Sequence, residues 1–448
     1  MTSKPCATCL AAALLFLSLP LPAEPAPASM TVDQAVTLAV HNNLDLKNVV
    51  LQSAVLQRTK DHSFNILFPT ISTSATALRL NDTRSYTVLA SPQPLPYGTY
   101  STADANNLGL NLKIQEIFTP AIVAQFAQMD INLKNSMISR EQAERSMTAS
   151  VRKSFFQLLL LRETISLTQS QLNNADERLR QSEVSLRLGQ ETELNNVQNQ
   201  SAADNLRSQL EQQKTSYMNN LITFQELLGV EPRIDLLLDG ILDSSHAELP
   251  STEILAAHRL DVDSQKGKVK NLRTSRDLQV LSVLPALIFQ YSADPNLNGP
   301  QSSNILDTGK WVQKTGASSL TLSWNLESFI PGSSFWDKQN ELDGQILLAE
   351  ETTGQVRKNG IDDIENHRRL IQTSLRTIET LRNVVKSNQR ALELTNLSYR
   401  AGMGKLLDLL SAEFNNQSAQ VQLLNEEVNL KSLVFDLEAQ LDQDLSSF

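Results

Sequence analysis

Apolar residues recur every seven positions over two long stretches of the chain. Val151, Leu158, Ile165, Leu172, Leu179 and Leu186 keep that step, and Ile371, Ile378, Val385, Leu392 and Tyr399 keep it again farther on. A sustained seven-residue seam drifts around a straight helix, so it predicts helices that supercoil left-handed against neighbours. Each series resumes after an interruption, at Leu210, Tyr217 and Phe224 and at Leu423, Leu430 and Leu437. No proline falls between Pro120 and Pro232, nor after Pro331. At ~1.5 Å per residue, a helix from Pro120 to Leu188 would extend roughly 100 Å, longer than a compact globular domain can hold. The helices are also rich in Gln, Asn, Ser and Thr, as in Gln169–Asn174 and Asn195–Gln200. A polar face on one helix is ordinarily solvated surface, and in a closed tube it would also line the inside.

A second pattern has period two. In Asn107–Gln115 apolar residues alternate with Gly109, Asn111, Lys113 and Gln115, and in Ser319–Glu327 they alternate with Thr321, Ser323, Asn325 and Glu327. Strands of about nine residues with one apolar and one polar face fit a tilted membrane crossing, lipid on one side and a lumen on the other. Their partners, about 67–80 and 282–293, alternate less cleanly. The connections Asn81–Asp104 and Asp294–Gly316 are rich in Pro, Ser, Asn, Thr and Gly, as expected of loops outside a cell. Four strands would leave edge N–H and C=O groups unpaired in hydrocarbon, so the chain must assemble. Two copies supply eight strands and three supply twelve; only the larger ring leaves an aqueous passage, which suits polar inner faces.

The chain is written twice. Leu44-Asp45-Leu46 is echoed by Leu260-Asp261-Val262, and Pro69 by Pro285, both at an offset of about 216. The run Leu108, Leu110, Leu112, Ile114 is echoed by Leu320, Leu322, Trp324, Leu326, and Arg187–Gly189 by Arg400–Gly402, at about 212 and 213. The expected organisation is therefore a first repeat over 29–240, with strands about 67–80 and 107–116 and a helical hairpin about 120–228. A second repeat covers 241–448, with strands about 282–293 and 318–328 and a hairpin about 332–445. The fold class is mainly α with a membrane β-barrel portion: long antiparallel coiled-coil hairpins plus four strands per chain, closing as a twelve-stranded barrel in a trimer.

Composition sharpens this picture. Glycine numbers 15 in 448 residues, less than half the usual share of about 7%, which favours long helices over a loop-rich enzyme. Lys4 followed by the apolar run Leu10–Leu19 and the small residues around Ala26–Ala28 reads as a signal peptide over 1–28. Cys6 and Cys9 both precede the expected cleavage, leaving no disulfide and no lipid-anchor cysteine. The net charge of -10 gives no footprint for nucleic acid.

The LLGVEP segment at Leu227–Pro232, the order of elements, the duplication and above all YRAGMGKLLDLLSAE at Tyr399–Glu413 resemble the TolC-like outer-membrane efflux channel family. The resemblance spans about Thr31–Asp444. It implies a homotrimeric, porin-like channel set in outer-membrane lipid, with its helical part in the periplasm. Such a channel forms the exit duct of a tripartite efflux or type I secretion system, docking a periplasmic adaptor protein and an inner-membrane transporter, proton-driven or ABC type. Carried over by position, Gly189 and Gly402 mark the turns at the periplasmic tip, with Leu188, Gln190, Ala401 and Met403 beside them as adaptor contacts. Asp408 matches a carboxylate that rings the aperture. A second family carboxylate is here Ser411, and a basic residue after the tip glycine is here Gly404. Tyr399 and Asn195 match a pair that hydrogen-bonds between neighbouring helices. The alternative is a periplasmic coiled-coil adaptor, which normally has one hairpin between soluble β-rich modules rather than two hairpins with two strand pairs.

No enzyme, cofactor or metal reading gathers support. Gly402–Lys405 lacks the remaining residues of a phosphate loop. Asp294–Gly299 matches the start of a calcium loop, but its twelfth position is Ile305, and an external turn is expected there. His41, His62, His246, His258 and His367 have no metal-ligand spacing.

Overall fold

In a computed structural model the described residues are 29–79, 84–87, 99–102, 106–231, 237–240, 259–299, 311–312 and 316–441. The expected signal peptide lies outside them. Among the described residues seven α-helices dominate: α1 (Val32–Asn42), α2 (Leu44–Asp61), α3 (Ala121–Arg187), α4 (Glu193–Leu228), α5 (Leu260–Leu281), α6 (Ser334–Arg400) and α7 (Leu406–Gln440). The strands are β1 (Ser29–Met30), β2 (Thr70–Arg79), β3 (Arg84–Thr87), β4 (Thr99–Thr102), β5 (Asn106–Phe118), β6 (Leu237–Leu238), β7 (Ala286–Ala293), β8 (Asn296–Gly299), β9 (Trp311–Val312) and β10 (Ala317–Ser323). The chain divides into two compact units, one comprising 1–47, 143–255 and 363–448, the other 48–142 and 256–362.

The first unit holds the helical hairpins α3–α4 and α6–α7 over most of their length. The apolar seams are its contact faces: Val151, Leu158 and Leu172 on α3, Leu210 and Phe224 on α4, Ile371 and Ile378 on α6, Leu430 and Leu437 on α7 are all buried. Its hydrophobic core gathers Val151, Phe155, Leu158 and Leu159 of α3, Leu221, Phe224 and Leu228 of α4, Ala35 and Ala39 of α1, and Met30 and Leu238 from the parallel pair β1–β6. Helix α1 begins with a capping box in which Thr31 and Gln34 satisfy each other's backbone N–H groups. Helix α4 ends at Gly229, whose φ is 68°; a Cβ there would come within 2.8 Å of the Asn42 backbone, so only glycine fits.

The second unit contains the sheet. Strand β5 pairs antiparallel with β2 on one side and with β7 on the other, and β7 pairs with β10. Register separates two faces over the middle of the sheet, while Glu116 on the apolar side and the Ile117–Ile288 pair on the polar side break the pattern at one end. Ile71 and Thr73 of β2, Leu110, Leu112 and Ile114 of β5, Phe289 and Tyr291 of β7, and Leu320 and Leu322 of β10 share one side. Directly paired residues on the opposite side include Ser72 with Lys113, Ser74 with Asn111, and Gln290 with both Gln115 and Ser319. Ile71, Leu320 and Leu322 are each more than two-thirds exposed, so none of the described residues covers the apolar face there.

Helix α5 packs against α3 through a close approach at Gly267, whose Cβ would fall 2.0 Å from Asn135 Oδ1. The Asn135 amide instead donates to the Gly267 carbonyl at 3.3 Å.

Boundaries depart from the sequence expectation where local chemistry intervenes. The strand expected over 318–328 leaves the sheet at Ser323, because Asn325 Oδ1 accepts from the Glu327 backbone and starts the short 3-10 turn Glu327–Phe329. The strand expected from 282 starts at Ala286, since α5 continues to Leu281 and Pro285 precedes the first ladder bond. The expected loops carry strands of their own: β3 pairs with β4, and β8 joins β5 and β9. Asn296–Gly299 is thus a strand rather than the external turn expected there.

Candidate functional site

The candidate site is the end of the first unit where both hairpins turn. At the first turn, Gly189 takes φ 69°; its N–H donates to the Leu186 carbonyl at 3.0 Å, and the Gln190 N–H to the Ser185 carbonyl at 2.8 Å. At the second turn, Gly402 takes φ 74°; its N–H donates to Tyr399 at 3.0 Å, and the Met403 N–H to Ser398 at 3.0 Å. Both are Schellman closures, in which a left-handed residue lets two N–H groups satisfy the last carbonyls of a helix. The left-handed conformation is why the sequence places glycine at each position. Leu188, Gln190, Ala401 and Met403, the other expected tip residues, are all exposed, Met403 to 82%.

The helices leaving the two turns begin differently. Thr192 caps α4, its Oγ1 accepting from the Asn195 backbone N–H at 3.3 Å. Lys405 precedes α7 and supplies no side-chain cap. Asp408 lies in the first turn of α7 and is exposed, where the positive end of the helix favours a carboxylate. Ser411, one turn on, is also exposed, and its hydroxyl donates back to the Leu407 carbonyl at 2.8 Å.

Tyr399 is half-buried near Arg178 and Glu191. Burial raises its pKa above the usual tyrosine value, Glu191 adds to the rise, and Arg178 opposes it. No hydrogen bond joins Tyr399 to Asn195 within the chain; Asn195 contributes its backbone to the Thr192 cap.

Behind the turns, polar and aromatic rungs tie α3 to α7. Arg152 meets Glu438 at 2.8 Å, Phe156 stacks on Phe435 at 5.7 Å between centroids, and the Gln417 amide donates to the buried Thr168 hydroxyl at 3.2 Å. The last rung is Arg178, whose guanidinium grips both oxygens of Glu413. The two side chains are only 17% and 25% exposed. Two parallel charge-assisted bonds fix direction as well as distance. Arg178 and Glu413 each stand 11 positions from the glycine of their own hairpin, so the tips share a level. Among the described residues, no hydrogen bond crosses between the hairpins beyond this rung.

The sequence reading missed this clasp. Arg178 and Glu413 are both charged neighbours of apolar seam positions, a visible signal, but which charge meets which depends on the register of two helices far apart in sequence.

No group of acidic, His or Cys residues among the described residues could hold a metal. No described helix is long and apolar enough to cross a membrane.

Comparison with known proteins places the chain. Residues 35–230 match the family model for outer membrane efflux proteins. The pyoverdine export outer membrane protein OpmQ of Pseudomonas aeruginosa is 24% identical over 343 residues, covering 73% of this chain and 69% of OpmQ. The fold is shared with the outer membrane channel CmeC of Campylobacter jejuni, at a TM-score of 0.69, 17% identity and coverage of 93% and 88%. It is shared equally with the outer membrane protein VceC of Vibrio cholerae, at 0.68, 16%, and coverage of 91% and 94%. Residues 35–230 thus match the outer membrane efflux protein family, and the fold is the one seen in solved outer membrane channels.

Proposed function

We propose that three copies of this chain close a twelve-stranded barrel and a periplasmic helical tunnel, forming the passive exit duct of a tripartite efflux or type I secretion system. The observation that carries this reading is the sheet. Strands β2 and β10 each have one neighbour among the described residues, and the apolar face beside them is bare. In hydrocarbon such edges are tolerated only when other strands close on them. Three chains leave a water-filled interior against the hydroxyl and amide face, whereas two would fill it with side chains. The adaptor alternative is not favoured, since family and fold are those of the outer membrane channels.

Gating is proposed at the turns. Three Asp408 carboxylates around one axis would favour cations and repel anions. The second hairpin beyond the Arg178–Glu413 clasp is the part free to swing, and a periplasmic adaptor meeting Leu188–Gln190 and Ala401–Met403 would move it outward. An inner-membrane transporter, proton-driven or ABC type, would supply the energy.

The test is to extract the protein from membranes in detergent, measure its oligomeric mass, and record ion conductance in planar bilayers. A trimer with discrete conductance steps is expected, and Asp408→Ala should lower cation preference. A monomer without conductance overturns the reading.

A further inference from the structure

We propose that Lys113 sets the ion preference of the membrane section of the duct, favouring anionic solutes. This inference rests on the channel reading above and concerns the strands rather than the tip. On the polar face of the sheet, the register sets Lys113 between Ser72 of β2 and Ser292 of β7, with Asn111 and Gln115 two positions away along its own strand. It is central in β5, which spans Asn106–Phe118. The remaining residues of that face in β2, β7 and β10 are uncharged, hydroxyl and amide groups such as Ser74 and Gln290 together with apolar ones such as Ile288.

Lys113 has no hydrogen-bond or ion-pair partner among the described residues. One carboxylate, Asp294, follows β7 on the loop side of Lys113. It is engaged by the Asn111 amide, which donates to it, and it makes no salt bridge to Lys113.

The face therefore carries an unneutralised ammonium in mid-strand and an amide-bound carboxylate nearer the loops. A charge that faces a lumen acts on permeating ions directly, while neutral hydroxyls and amides do not discriminate by sign. Closed into a trimer, the strands would present three ammonium groups at one level, a ring of the sign that selects anions. The opposite sign at Asp408 would make tip and barrel two filters in series, with the barrel favouring solutes that the tip opposes.

The experiment measures reversal potentials across planar bilayers under a KCl gradient, in an Asp408→Ala background so that the tip carboxylates do not set the result. Lys113→Gln should raise the cation-to-anion permeability ratio about twofold or more, the effect of one unit charge across ~8 Å of water. Lys113→Arg should leave the ratio near that of the Asp408→Ala parent, and Asp294→Asn should move it the other way. Channels that form with an unchanged ratio in Lys113→Gln would overturn the inference while leaving the duct intact. Absence of any channel in the parent would count against the duct itself. A second readout fixes the face: in a Cys6→Ala, Cys9→Ala background, Lys113→Cys should react with water-soluble charged thiol reagents, faster with the anionic one in the presence of the two remaining protomers' lysines in mixed trimers. Leu112→Cys, on the apolar face, should not react; equal reactivity at both positions would overturn the assignment.

Discussion

Gly189 and Gly402 reverse the chain with the same pair of backbone hydrogen bonds, yet the helices they release are held differently. The first hairpin leaves its turn through a capped start at Thr192, and Asn196 reaches back to the Ser182 hydroxyl at 3.3 Å. The second leaves through Lys405 without a side-chain cap, and its long helix carries no buried residue from 379 to 400. Over the matching length of α3, Leu172, Ala175 and Ser182 are buried. The two turns therefore differ in how the helix before each is packed and how the helix after it is capped: α4 starts with a side-chain cap, while α7 starts without one but buries Leu406 and Leu409 beside the exposed Asp408. The backbone closes both turns alike, while the side chains around them differ.

The largest effect that would break this comparison is expected at the clasp. Arg178→Ala leaves Glu413 three-quarters buried without its partner and should cost about 2 kcal/mol of local stability. Amide exchange over the start of α7 should accelerate roughly thirtyfold, with α4 little changed. Equal acceleration in both hairpins would remove the asymmetry.

Next come the glycines. Gly189→Ala and Gly402→Ala each place a side chain in left-handed backbone, and at neither does a Cβ meet any atom within 4 Å. Each should cost about 1 kcal/mol from backbone conformation alone, and by nearly the same amount. Thermal melts of the two variants check this; a clear inequality would show that the turns are not equivalent.

Exchanging the caps should sharpen the contrast. Thr192→Ala is expected to loosen α4 by about 1 kcal/mol, and Lys405→Thr to tighten α7 by somewhat less. Exchange at the first turns of the two helices measures both.

The smallest effect is set by pH. Arg180, then Gln181, holds the Glu177 carboxyl at about 2, below its ordinary 4.5. A depressed carboxyl stabilises the fold above its unfolded value and loses that contribution as pH falls through the folded one. The end of α3 should thus be indifferent to pH down to about 4.5 and loosen between there and about 2, slightly, because the pair is exposed and salt screens it. An environment-sensitive label near Val184 reads the change, and added salt should shrink it.

Much of the fold is legible in residue order. The seven-residue seams become buried contact faces because periodicity is a local property of one helix, and Gly189 and Gly402 announce their turns because only glycine adopts that backbone cheaply. Alternation in 107–115 gives both the strand and its two faces. What escapes is pairing between distant segments. The clasp between Arg178 and Glu413 and the extra ladder of β8 on β5 both require a register that composition does not encode. The early end of β10 turns on one side chain, Asn325, capturing a backbone N–H where the alternation of apolar residues still continues.

The central proposal, a trimeric duct held shut by its second hairpin, is tested most directly by single-channel conductance of the wild type beside Arg178→Ala, with oligomeric mass measured on both. Trimers are expected in each case, with small resting conductance in the wild type and a severalfold increase when the clasp is removed. Intact trimers with the same conductance would contradict it.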